Sequence, residues 1–448
     1  VTQITNIRYI ELLFLYFDSF LRISQKIGIN GVSKTKINQL CSGKYDTVKE
    51  PTFENLIIPS NKSVSPISQN DILLGKDDDD DDDEIGASSF GANDDTNDSY
   101  EFTLEGSGEF DVNELGADLD ASGFGGFLDI QLLSGATLAG RSIDDVDILA
   151  NDGNVDLNSR TGPDAADFTL DADAMTSGNT ITLLGEGSGD IFAVDAGVTV
   201  DAKTNDYDGS LHIYTDDLAD GESVDISGGS GLLTVESDGT GSGKVDIDAT
   251  ALDDAAGATD LTLSGSSRFD VTELSADVDA SATSDRIDVT TAADAGTPSA
   301  PVTVTTGTGN AVVTGTGADG TVNVEADLLD SSDTLTLNGE SEFDVDDIGS
   351  GVTVDADGNG DPALSGELTV NLDAGATGVA INTGSNDTNV SGDASGNTGS
   401  VTIDATKMVD SNNTSSGLDD ERTVTLTGST AATVIGLTGI VDASAATG

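Results

Sequence analysis

Asp120, Asp201, Asp279, Asp355 and Asp442 each sit between an apolar residue and an alanine, in the phrases Leu-Asp-Ala or Val-Asp-Ala. Carboxylates of this kind are hard oxygen donors. Calcium gathers roughly six to eight such oxygens from side chains and turn carbonyls. Asp319 and Asp387, in stretches rich in Gly, Asn and Thr, complete the candidate metal ligands, and Ca2+ is the expected cofactor. An aspartate before a turn can also hydrogen-bond its own backbone, so both roles stay open at each single position.

Other chemistry finds few residues to perform it. His212 is the only histidine, which leaves no material for a histidine metal centre or a Ser/His/Asp triad. It lies in Leu211-His-Ile-Tyr214, a strand pattern, and is expected to be an ordinary exposed strand residue. Carboxylates are too abundant to single out a glycosidase pair. Gly228-Gly229-Ser230-Gly231 has no Lys-Ser/Thr after it and is no phosphate loop. Asn97, Asn386, Asn389, Asn412 and Asn413 open Asn-x-Ser/Thr sequences, which a glycosylated surface would use. No enzymatic activity is expected.

The charge is divided along the chain. Residues 1–76 hold nine basic and six acidic residues, a net of +3; the remainder holds eight basic and 76 acidic, a net of −68. That field repels nucleic acid and anionic membrane, and neither is an expected partner. It also opposes compaction unless cations neutralise it, through bound calcium or through the solvated surface typical of a halophile. Of the 82 acids 65 are Asp, the shorter side chain that suits turns and rigid oxygen cages, and this favours calcium. Cys41 stands alone, so no internal disulfide framework is available to an exported chain. The apolar run Leu12–Phe17 is too short to span a membrane and has no convincing cleavage site after it.

Three regions follow. Residues 1–69 are mixed, with Ile10, Phe14, Phe17 and Leu21 at helical spacing. Residues 70–98 surround the run Asp77–Asp83 and are expected to be a disordered acidic linker. Residues 99–448 are a repeat array, with copies starting near 99, 178, 258, 332 and 421, the last truncated. Its phrase Leu-Thr-Leu-x-Gly places Gly106, Gly185, Gly265, Gly339 and Gly428 at intervals of 79, 80, 74 and 89 residues. A second phrase, starting at Phe168, Val245, Val322 and Val401, keeps the beat at 77, 77 and 79. Two phrases on one period establish internal repetition.

Within each copy, short runs alternate apolar with Thr or Asp, as in Val302-Thr-Val304, and Gly, Asp, Asn and Ser separate them. About seven strands fit one copy. Tandem immunoglobulin-like sandwiches of about 80 residues would also satisfy that count. Sandwiches seat large aromatics between their sheets, however, and after Phe269 only Phe343 remains. The expected fold is therefore an all-β, elongated β-solenoid with parallel strands and internal columns of Val, Leu and Ile. Phe110, Phe269 and Phe343 should point inward at equivalent places.

Thr306-Gly-Thr-Gly-Asn310-Ala-Val-Val-Thr314 and the following Gly315–Val322 resemble the calcium-binding nonapeptides of the repeats-in-toxin family, with the expected Asp displaced or replaced by Asn310. Asn70-Asp-Ile-Leu-Leu-Gly75 resembles that family's Asn-Asp-x-Leu-x-Gly phrase. The longer repeat is similar to arrays in very large bacterial adhesins and surface-layer proteins. That resemblance implies an extracellular or cell-surface location, a structural or adhesive role, and other surface proteins or polysaccharide as partners. A surface-layer lattice subunit is the alternative, and a β-helix polysaccharide lyase a distant third. Because the chain begins at Val1 and stops after the first phrase of a fifth copy, it is expected to be part of a longer protein, or to associate end to end.

Overall fold

Alternation of apolar and polar residues over four to seven positions drives the chain into short strands. In Leu211–Thr215, for example, Leu211, Ile213 and Thr215 are buried while His212 and Tyr214 face outward. The computed structural model describes residues 70–73, 83–86 and 101–447, except 136, 138–144, 238–242, 253–258, 359–362, 393–398 and 409–421. The helical spacing within residues 1–69 and the aspartates 77–82 lie outside the described residues. Of two compact units, Val1–Ile67 and Ser68–Gly448, only the second contains described residues.

Among the described residues thirty-three strands alternate between two sheets, an odd sheet of 17 and an even sheet of 16. Each strand pairs in parallel with the next but one along the chain. Two strands therefore make one turn of a β-solenoid, the expected architecture, and pairing that is parallel throughout excludes tandem sandwiches. Two strands, Asn70–Leu73 and Asp83–Gly86, fall inside the stretch expected to be linker. They pair with Glu101–Gly106 and Glu109–Leu115, so the stack begins before residue 99. Backbone pairing with an existing rung is what orders them. Among the described residues no helix is long and apolar enough to cross a membrane.

The core is a set of columns. On the even sheet Val245, Phe269, Ile287, Ala311, Leu335, Val354, Ile381 and Ile403 lie in register, all buried. Removing each such side chain from water contributes roughly 1.5–3 kcal/mol for the larger members. Large beside small, as with Phe269 two rungs from Ala311, lets a thin interior fill without voids. Thr215, Ser237 and Thr283 form a buried polar seam with Gly265 on the odd sheet. Tyr207 is buried too; its hydroxyl donates to the Gly187 carbonyl, and burial, then Asp167 and Asp190, push its phenol pKa up.

The repeated phrase occupies the strands Glu101–Gly106, Thr180–Leu184, Thr259–Gly265, Thr334–Gly339 and Thr423–Gly428, each the seventh strand after the one before. Seven strands are three and a half turns, so successive copies change sheet. The five phrase glycines all have positive φ, from 80° to 136°. At Gly265 a Cβ would also collide with the Ser237 carbonyl oxygen one rung below. In the first four copies the strand after the phrase carries a bulge. Glu114, Ala193, Glu273 and Asp347 adopt φ of 55–61° there, and the fifth copy has Gly436 at φ 71°. The bulges set two outward residues between inward pairs such as Val271 and Leu274.

Candidate functional site

Asp201 and Asp355 end their strands, whereas Asp120, Asp279 and Asp442 lie within theirs, each just before a shift of register. Each Oδ1 accepts a hydrogen bond from the backbone N–H two residues on: Ser122 to Asp120 at 3.1 Å, Lys203 to Asp201 at 3.1 Å, Ser281 to Asp279 at 2.9 Å, Asp357 to Asp355 at 3.2 Å and Ser444 to Asp442 at 2.9 Å. Asp171, Asp248 and Asp404 of the second phrase do the same. The backbone bond from Ser444, then its hydroxyl, lowers the Asp442 pKa. Asp387 accepts from the Thr423 N–H at 2.8 Å, and Asp319 is exposed in a turn. The phrase aspartates lie seven strands apart, successive ones on opposite sheets, so they are not brought together. Among the described residues no three His, Cys, Asp or Glu form a group that could hold a metal ion.

What stacking does bring together is like charge. Asp111, Asp129 and Asp156 are in register on the even sheet, one rung apart. Burial, then Asp111 and Asp156, raise the Asp129 pKa. Farther along, Asp225, Asp246, Asp270 and Asp288 form a longer column. Three of the few basic residues stand beside it: Lys244 is 2.5 Å from Asp246 and 3.7 Å from Asp270, Arg268 pairs with Asp288, and Arg286 lies 2.6 Å from Asp288. The hydrogen bond to Asp246 is the main reason the Lys244 pKa is raised. These three cations are scattered in sequence, 24 and 18 residues apart, because corners of unequal length separate equivalent strand positions.

The surface departs from this pattern on the odd sheet, over Val146–Leu149, Phe168–Asp171, Gly189–Val194, Leu211–Thr215 and Leu233–Ser237. A cleft of about 440 Å³ opens there, lined among others by Asp145, Asp167, Asp190, His212, Leu232 and Thr234. Gly189 helps to make it: it stands in register between Phe168 and Leu211, and a Cβ at that position would strike the Phe168 ring. Asp147, Thr169, Asp190, His212 and Thr234 form one outward column in register. Asp167 accepts from the Ser188 N–H at 2.7 Å, and Asp145 from the Thr169 hydroxyl at 3.0 Å.

Beside that column runs one that mixes apolar, aromatic and acidic residues. Leu149, Asp171 and Phe192 are in register, and Tyr214 pairs with Glu236. The Phe192 and Tyr214 rings stack with centroids 4.5 Å apart and planes 11° from parallel. His212 packs on Tyr214 at 4.0 Å. Its Nδ1 is 3.8 Å from Asp190 and its Nε2 3.9 Å from Glu236. Burial, then Asp190 and Glu236, raise the Tyr214 pKa. His212 is thus an outward strand residue, as expected, but one packed into an aromatic stack. Sequence inspection passes over Phe192, which lies 22 residues before Tyr214 in a strand with a weakened phrase; only an alignment at the spacing of one turn would have paired them. No protein-family model, curated protein or solved structure matches this chain.

Proposed function

We propose that this chain is a non-enzymatic structural and adhesive segment of a large bacterial surface or secreted protein, an acidic rod stiffened by calcium outside the cell. The observation that carries the proposal is the set of in-register aspartate columns, of which Asp111–Asp129–Asp156 is the plainest. Rungs about 4.8 Å apart hold like charges close enough to add to the rise that burial gives the Asp129 pKa. Such columns suit a medium that supplies divalent cations, which gather along the surface without needing closed cages. Seventeen strands stacked at that spacing make a rod roughly 75 Å long, a spacer's shape.

Melting the chain in millimolar calcium and in sodium chloride of equal ionic strength tests this. A ligand that binds only the folded state raises stability by mass action, so calcium should raise the Tm well above the sodium value. Equal Tm values would reduce the cation's role to screening and favour a halophile's surface. X-ray scattering in the same buffers should show an extended particle; sheets or large assemblies on calcium addition would favour a surface-layer lattice.

A further inference from the structure

We infer that the cleft and the adjoining aromatic column on the odd sheet bind a neutral polysaccharide strand lying along the solenoid axis. The inference deepens the adhesive half of the function proposed above by naming the partner's chemistry. A sugar ring presents C–H faces and hydroxyl edges, and a site for it alternates apolar shelves with hydrogen-bonding groups. This surface does so. Leu149, Phe192 and Leu232, at 40 %, 36 % and 48 % exposure, are three of the seven large hydrophobic residues exposed among the described residues, and three of the other four lie at the last rungs. All three belong to the five strands that frame the cleft or to the turns leading into them. Phe192 is extended by the stacked Tyr214 ring.

The polar half lies alongside. Asp190, His212 and Thr234 follow one another rung by rung and face the cleft. Ser188 and Ser210 line it from the turns before their strands. Hydroxyls, a histidine and carboxylates offer both donors and acceptors to sugar hydroxyls. They recur once per rung, about 4.8 Å apart, close to the length of one pyranose unit, so consecutive sugars meet consecutive rungs.

Charge decides which polysaccharide. The lining carries Asp145, Asp167 and Asp190 and neither Lys nor Arg, and Glu236 stands beside it. A uronate, sulfated or phosphorylated polymer would be repelled. A single metal ion does not fit either, since these carboxylates form no metal-holding group. Neutral sugars, whose hydroxyls donate to carboxylates, do fit.

Affinity electrophoresis of the full chain tests this, in native gels containing a soluble neutral β-glucan, a galactomannan, a xyloglucan or, as the charged comparator, polygalacturonate. The expected result is retardation by at least one neutral polymer and none by polygalacturonate. The double variant Phe192→Ala/Tyr214→Ala should weaken that retardation about tenfold or more, and Tyr214→Phe, which keeps the stack, should retain most of it. Circular dichroism and thermal melts establish that the variants fold; if the double variant does not, Leu232→Ala and Asp190→Asn carry the same expectation of weaker binding. No retardation by any neutral polymer, equal retardation of wild type and folded variants, or preference for polygalacturonate overturns the inference. None of these outcomes touches the calcium melts or the scattering, so the rod and its ligand stand or fall separately.

Discussion

Phe110 and Phe343 hold the same place in the strand after the repeated phrase, both buried, yet they lie in opposite sheets. The cause is arithmetic: a copy is seven strands and a turn is two, so each copy starts half a turn from the last. A feature fixed to the phrase therefore returns to the same face only in every second copy. Phe269 shares the even sheet with Phe110, two copies on. The rod consequently presents related surfaces on both sides, while a feature found in one copy only, such as the Phe192–Tyr214 stack, marks one side only.

Inward and outward aromatics should differ sharply in their effect on stability. Phe269 is fully buried between Val245 and Ile287, and Phe269→Ala should cost about 3–5 kcal/mol by loss of transfer energy and creation of a cavity. Phe192 is partly exposed, and Phe192→Ala should cost less than about 1 kcal/mol. Urea unfolding midpoints of the two variants measure the contrast; comparable losses would mean that Phe192 supports the fold.

Asp279 separates a backbone-bonding role from a metal role. Its Oδ1 accepts the Ser281 N–H, a bond worth about 0.5–1.5 kcal/mol. Asp279→Ala should lose about that much. Asp279→Asn keeps an acceptor oxygen and should lose less than about 0.5 kcal/mol. If Asp279 instead ligated calcium, Asp279→Asn would shrink the calcium-induced rise in Tm as much as Asp279→Ala does. Melts with and without calcium compare the two substitutions directly.

Backbone demands along the repeat make an opposed pair of glycine predictions. Gly265 has φ 109° with the Ser237 carbonyl in the path of any Cβ, so Gly265→Ala should destabilise by about 2 kcal/mol or more. Ala193 has φ 55° at its bulge, and the equivalent position of the fifth copy is Gly436 at φ 71°. Left-handed geometry costs an L-residue roughly 1–2 kcal/mol, partly offset by the greater unfolded-state entropy of Gly. Ala193→Gly should therefore be neutral or stabilise by up to about 1 kcal/mol, read from the same urea midpoints.

Much of this fold was legible because glycine and aspartate mark its turns. The intervals between Gly106 and Gly428 revealed the period, and seven alternating runs per period predicted the strand number. The dearth of aromatics after Phe269 pointed to a thin interior. The change of sheet at each copy was not legible, since strands per turn is a property of how chains stack and has no local signature. The columns were hidden for a related reason: Lys244, Arg268 and Arg286 meet only because corners of different lengths return the chain to one register. The candidate ligands Asp120 and Asp279 were visible as a repeated type, but one sequence pattern serves both the backbone and a cation, and the bonds from the Ser122 and Ser281 N–H groups hold the local backbone.

Crowded, partly buried aspartates imply that mild acid should stabilise this protein. Burial is the first cause of raised pKa values at Asp129, Asp147, Asp195, Asp344 and Asp373, and neighbouring carboxylates the second. An acid whose folded pKa exceeds its unfolded value binds more protons when folded, so stability rises as pH falls from neutral through the folded value. The gain ends near the ordinary carboxylate pKa, below which both states are protonated. Asp248 runs the other way: burial raises its pKa, but bonds from Lys203 and Thr250 outweigh this and hold it low. Its contribution, like that of Asp442, is lost only when pH falls below the ordinary value. Since most of these groups are partly exposed, water and salt screen the effect. In calcium-free, low-salt buffer the Tm should rise by a few degrees between about pH 7 and about pH 4.5, and fall again below about pH 3.5. The rise should shrink in 0.5 M sodium chloride at roughly the Debye-screened limit. A Tm that falls steadily from neutral to pH 4.5 would show that favourable carboxylate contacts outweigh the burial and repulsion at these aspartates.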